Sequence, residues 1–252
     1  MRSVLRASLV VVAVGALAAP AFATPINPFN TRPVAIGASG EPTLQSVLDG
    51  LWGAGTVSAA GDQQSAGMWG FTSAVGSSIP TMVVEYAGAA ASNVFGIWFG
   101  SDTSTLYHYD LMLGPADSAT LDAASLVIVG NTMLVNSAGF GSCGVEVNCT
   151  PVGGVTDPLI NGNAFGFYLR NGSNYFYTVD QLNAGGGAYS LAFRKPGTDT
   201  WAIGFEDVAG GDFDFNDMVV KVESSAPVPE PGTLLLIGSG LAGLAARRRR
   251  RS

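Results

Sequence analysis

The chain predicts an all-β fold, a β-sandwich of which a jelly roll is one form, with one short amphipathic helix near the N-terminus. Three observations carry this. Glycine supplies 34 of the 252 residues, about twice its usual share, so turns should be frequent. Apolar or alternating runs recur along the chain between clusters of Gly, Ser, Asn and Asp, as half-buried and fully buried strands do. No internal repeat of fixed period occurs, which argues against a propeller or a solenoid.

Taken in order, Arg2 and Arg6 precede an apolar run from Ala7 to Ala19, and Ala21-Phe22-Ala23 supplies the small-x-small pattern that signal peptidase cleaves after. The expectation is a signal peptide over 1–23, cut between Ala23 and Thr24. An anchor is disfavoured because thirteen helical residues reach only about 20 Å, short of a hydrocarbon core of ~30 Å. After Glu41-Pro42, apolar residues at Leu44, Val47, Leu48, Leu51 and Trp52 form one helical stripe, with proline suiting the first turn. That stripe should pack on a sheet. The predicted strands are IPTMVVEYA, NVFGIWF, LYHYDLML, SLVIV, AFGFYLR, NYFYTV, AYSLAFR and TWAIGFE.

Cys143 and Cys149 are the only cysteines and lie in a glycine-rich segment. In an oxidising compartment an even count predicts one disulfide between them. A metal site built on this pair lacks further ligands, since His108 is the only histidine.

The stretch GGDFDFNDMVV concentrates Asp212, Asp214, Asn216 and Asp217. Trp201 to Glu206 predicts a strand, Asp207 to Gly211 a turn, and Phe213 to Val222 the returning strand. Alternation would send Asp212, Asp214 and Asn216 to one side and Phe213 and Phe215 to the other. The apolar set then changes from odd to even numbers at Met218, Val220 and Val222, which requires a kink at Asn216-Asp217. Crowded carboxylates repel, so the fold needs a neutralising partner, and Lys221, Arg194 and Lys195 are the nearby cations. Ca²⁺ fits better, because it takes six to eight oxygens and often an Asp-x-Asp-x-Asn spacing. The expected ligands are Asp212, Asp214 and Asn216, completed by Glu206, Asp207 and Asp217. The alternatives are a solvated acidic turn or a carboxylate-dependent active site.

At the C-terminus, Val228-Pro229-Glu230-Pro231 predicts a stiff, exposed hinge over 224–231. An uncharged stretch, 232–246, then reads as a short membrane-spanning segment, and Arg247 to Arg251 should stay cytoplasmic within 247–252. Pro229, Glu230 and Pro231, the short apolar helix and the arginine cluster together resemble the PEP-CTERM sorting signal of Gram-negative bacteria. That resemblance implies processing by the membrane protease exosortase and an association with exopolysaccharide and biofilm.

The residues FEDVAGGDFDFNDMVV, from Phe205 to Val220, resemble the closing hallmark of an uncharacterised secreted bacterial domain of unknown function, often found before a PEP-CTERM signal. Ala164 to Leu169 is similar to its opening strand, so the expected divisions are 24–159 and 160–223. Asn93 to Phe99 and Leu113 to Ser118 resemble what precedes that domain. The resemblance implies no activity.

The two ends hold seven of the 12 Lys+Arg and one of the 19 Asp+Glu, leaving five basic and 18 acidic residues from Thr24 to Ala226, a net charge of −13. Such a surface repels nucleic acid and invites cations. Nucleophile elbows, phosphate loops and zinc-protease motifs are absent from the sequence, so a non-enzyme is expected, with His108 a strand surface residue. The expectation is an exported protein, transiently anchored in the inner membrane and then held in the envelope or extracellular matrix. Its partners would be signal peptidase, exosortase, the membrane and extracellular polysaccharide, and its role structural or adhesive. A carbohydrate-binding module using Trp52, Trp69, Trp98 and Trp201 is the alternative, followed by a glycosidase using paired carboxylates of the acidic loop.

Overall fold

The computed structural model describes residues 32–38, 40–64, 66–72, 77–85, 92–102, 105–113, 123–129, 132–138, 152–156 and 164–228. One α-helix is found among them, α1 (Leu44–Trp52). The strands are β1 (Trp69–Phe71), β2 (Ser77–Glu85), β3 (Asn93–Asp102), β4 (Thr105–Leu113), β5 (Ala123–Val129), β6 (Thr132–Ala138), β7 (Val152–Thr156), β8 (Gly166–Asn171), β9 (Asn174–Tyr177), β10 (Ser190–Arg194), β11 (Thr200–Phe205), β12 (Met218–Glu223) and β13 (Ser225–Pro227). The chain is all-β, as predicted. Its strands form a seven-stranded sheet in the order β10-β11-β12-β2-β5-β6-β7, a four-stranded sheet in the order β4-β3-β8-β9, and a short β1-β13 pair. Every pairing is antiparallel.

The two large sheets face each other through one core. Phe95, Ile97 and Phe99 of β3 and Phe167 and Leu169 of β8 pack in the same buried cluster as Ile203 and Phe205 of β11 and Val220 and Val222 of β12. Strand alternation sends the intervening residues outward. Leu191, Phe193, Ala202 and Val219 therefore face the other side of the seven-stranded sheet, where α1 covers them with Leu44, Val47 and Leu48. Thr43 caps α1 by accepting the Ser46 N–H, so Pro42 stands just outside the helix rather than in its first turn.

Among the described residues the strands divide into one sheet of seven and one of four. β1, β6, β7 and β13 were not predicted. β1 and β13 are three residues each, too short for a period to show, and β7 contains two glycines. β6 had a signal in Gly130-Asn131, a dipeptide that favours a two-residue hairpin and follows SLVIV directly.

Candidate metal centre

Because β11 and β12 pair with Phe205 opposite Met218, residues 206–217 close the hairpin between them as one loop. The returning strand begins at Met218 rather than at Phe213. The change of parity comes from Phe213 and Phe215, which hold left-handed φ values of 57° and 56°, and not from a single kink at Asn216-Asp217. Such a conformation costs a bulky residue roughly 1–3 kcal/mol. It is held because Phe215 is buried beneath α1 and the Phe213 carbonyl accepts the Gly37 N–H at 2.7 Å.

The same conformation aims a backbone amide at one carboxylate. The Phe215 N–H donates to Glu206 Oε1 at 2.7 Å. Glu206 is 1% exposed, yet its Oε2 has no hydrogen-bond partner. A Cβ at Gly211 would lie 2.9 Å from that oxygen, so glycine keeps the space beside it open. Asp214, also buried, accepts the Asn216 N–H through Oδ1 at 3.2 Å. Asp212 is exposed. One oxygen from each of Glu206, Asp212 and Asp214 lies within 4.8 Å of the others.

Burial is the main reason that Glu206 is raised to about 7, with the Phe215 and Phe213 amides opposing the shift and the charges of Asp212 and Asp214 adding to it. Two of the three nearby cations are engaged elsewhere. Arg194 pairs with Asp199 and Lys221 with Glu223. A carboxylate nest with an orphaned buried oxygen and open space beside it suits a hard cation, because such ions are held by carboxylate, carbonyl and water oxygens.

The other predicted ligands sit differently. The Asn216 side-chain amide donates to the Pro42 carbonyl at 2.8 Å. The Asp207 carboxylate accepts from Asn93 Nδ2 at 2.9 Å and its N–H donates to Asp217 Oδ2 at 2.9 Å. Asn171 Nδ2 donates to the Asp207 carbonyl at 3.1 Å, so β3 and β8 of the four-stranded sheet both grip Asp207. Burial leads the causes that raise Asp217 to about 7 and that raise Asp207. Gly37, Pro42, Asn93 and Asn171 had no local signal, since each acts through a partner more than thirty residues away in sequence.

Residues 154–225 match a domain of unknown function, DUF4114, and residues 227–251 match the PEP-CTERM protein-sorting motif. The chain carries a DUF4114 domain. The match brackets the segment 160–223 singled out from sequence, and the acidic loop lies inside it. The DUF4114 strands nevertheless pair outside their own segment, β8 with β3 and β12 with β2. The sorting motif makes this an exosortase-targeted, exported chain with a C-terminal, membrane-anchored processing step. No curated protein and no solved structure matches the chain. Cys143, Cys149, residues 1–23 and residues 229–252, including Pro229, Glu230 and Pro231, lie outside the described residues. Among the described residues no helix is long and apolar enough to cross a membrane.

Of the tryptophans offered for sugar stacking, Trp69, Trp98 and Trp201 are at most 4% exposed, and Trp52 is partly buried against the α1 cluster. His108 is half-buried beside Tyr168, Tyr175 and Tyr177, with Nε2 2.9 Å from the Tyr177 hydroxyl. Burial lowers its pKa, opposed by Asp110.

Proposed function

We propose that the exported chain is a Ca²⁺-binding structural or adhesive protein of the envelope or exopolysaccharide matrix, and that the ion sits at Glu206, Asp212 and Asp214. The observation that carries this is buried Glu206, whose Oε2 has no hydrogen-bond partner and whose carboxylate lies near those of Asp212 and Asp214. Three carboxylates provide three to six oxygens, and backbone carbonyls and water complete a calcium shell. Calcium suits such a site better than magnesium, which demands near-ideal octahedral geometry. The role is binding rather than catalysis. The inward packing of three of the four tryptophans favours a structural part over a sugar-stacking one.

The test is a calcium titration of the full-length chain in detergent after EDTA treatment, extended to millimolar ion. At 100-fold above the dissociation constant, mass action adds about 2.7 kcal/mol, or several degrees in melting temperature. Asp214→Ala should lose most of that gain. A folded wild-type chain whose melting temperature stays constant across the range would reduce the loop to an acidic turn. A glycan screen with and without EDTA then probes the adhesive role, and failure to capture polysaccharide in either condition would count against it.

A further inference from the structure

The DUF4114 match ends at residue 225 and the sorting motif begins at residue 227, so β13 (Ser225–Pro227) carries the junction between them. Among the described residues β13 pairs with β1 alone, with Phe71 opposite Ser225, Gly70 opposite Ala226 and Trp69 opposite Pro227. The Thr72 N–H on the Ser224 carbonyl at 2.9 Å and the Val228 N–H on the Met68 carbonyl at 3.0 Å close its two ends. β1 is fixed from its other side, because fully buried Trp69 exchanges two backbone bonds with Phe165, at 2.7 and 2.9 Å. β13 itself is held weakly. Ala226 and Pro227 are small and half-buried, and Ser225 is buried with an Oγ that lacks a hydrogen-bond partner, which favours release to water. Ser224, where the chain leaves β12, has a left-handed φ of 59°, a strain that a released chain sheds. A segment held by a few backbone bonds with little apolar burial opens locally, without unfolding the core.

Only Pro229, Glu230 and Pro231 stand between Val228 and the apolar stretch that starts at Gly232. Three residues span at most about 10 Å. A domain of about 200 residues has a radius of gyration of roughly 16 Å, so with β13 paired it is held against the bilayer, over the place where a membrane protease must take the motif. Freed back to Ser224, the spacer becomes 225–231 and reaches about 23 Å. We propose that β13 is a releasable strap, which must peel from β1 before exosortase can engage the sorting motif. β1 then competes with the protease for this part of the chain, and the folded domain sets the rate of its own processing.

Met68→Cys combined with Val228→Cys tests this in cells that express exosortase. Opposed, hydrogen-bonded residues of an antiparallel pair stand about 5.5 Å apart at Cα, within the span of a disulfide. With the crosslink verified by mass spectrometry, pulse-chase should show the locked chain processed at least about tenfold more slowly than either single-cysteine variant. About eight Gly/Ser residues inserted after position 228 of the locked chain should restore the rate, because they supply the slack that release otherwise provides. Processing of the locked chain at the single-variant rate would overturn the proposal, and so would a lock that the insertion fails to relieve. Hydrogen exchange on the full-length wild-type chain in detergent is a second test that needs no variant. The Val228 amide should exchange about tenfold or more faster than the amides of β12. Exchange as slow as in β12 would mean that the strap opens only with the core, and would overturn the proposal as well.

Discussion

Glu206→Gln separates the charge of the loop from its shape. In the absence of metal the folded chain holds the Glu206 proton more tightly than the unfolded chain does, because the group rises from 4.5 to about 7. Below the unfolded value both states are protonated and nothing is gained or lost. As pH rises from about 4.5 through 7 the folded state comes to carry a buried, poorly compensated charge, and stability falls. A rise from 4.5 to about 7 corresponds to about 3 kcal/mol, fully lost above pH 7. In a domain of this size that is roughly 6–12 °C in melting temperature. Asp217, raised from 3.8 to about 7, acts in the same direction. The wild-type chain in EDTA should therefore be markedly less stable at pH 8 than at pH 5, and calcium should restore most of the loss at pH 8.

Glutamine keeps the acceptor for the Phe215 N–H and cannot ionise. It also places an amide where Oε2 lacks a partner, a pH-independent cost of about 1–3 kcal/mol. The informative quantity is therefore the difference between pH 5 and pH 8 within each protein, not the absolute stability. Urea midpoints in EDTA at pH 5, 6, 7 and 8 should show the fall reduced by about 3 kcal/mol in Glu206→Gln, with the Asp217 part remaining, and calcium should no longer recover it. An unchanged pH dependence in the variant would refute the assignment of the buried charge to Glu206. Full calcium recovery in the variant would refute its place in the ligand set.

The remaining expectations concern the helix and the tail. Leu48→Ala, at a position 1% exposed on the buried face of α1, should cost about 3 kcal/mol in urea unfolding, and a midpoint equal to wild type would mean that α1 does not dock on the seven-stranded sheet. A reporter fused after Ser252 should be cytoplasmic in the unprocessed precursor, because translocating five arginines is costly, and an external reporter would contradict the orientation expected of the sorting motif.

The all-β class, the single helical stripe and the position of the acidic loop were legible in the sequence because each depends on local periodicity and composition. Leu44, Val47 and Leu48 repeat at helical spacing whatever they pack against, and strands such as NVFGIWF show their burial in their own residues. The sorting motif was legible for the same reason, its parts being contiguous. What tertiary structure decided was which carboxylates meet. Spacing alone sets Asp212, Asp214 and Asn216 on one side, with Glu206, Asp207 and Asp217 to complete the shell, whereas the folded loop, with Phe213 and Phe215 left-handed, gathers Glu206, Asp212 and Asp214 and pairs Asp207 with Asn93 and Asp217. No local preference places two phenylalanines at positive φ. They are held there by burial under α1, by the Glu206 carboxylate and by the Gly37 bond to the Phe213 carbonyl, contacts that exist only once distant segments are packed. The sandwich's strand order was decided in the same way, because pairing β2 with β12 and β3 with β8 joins strands that nothing in their own sequences marks as neighbours.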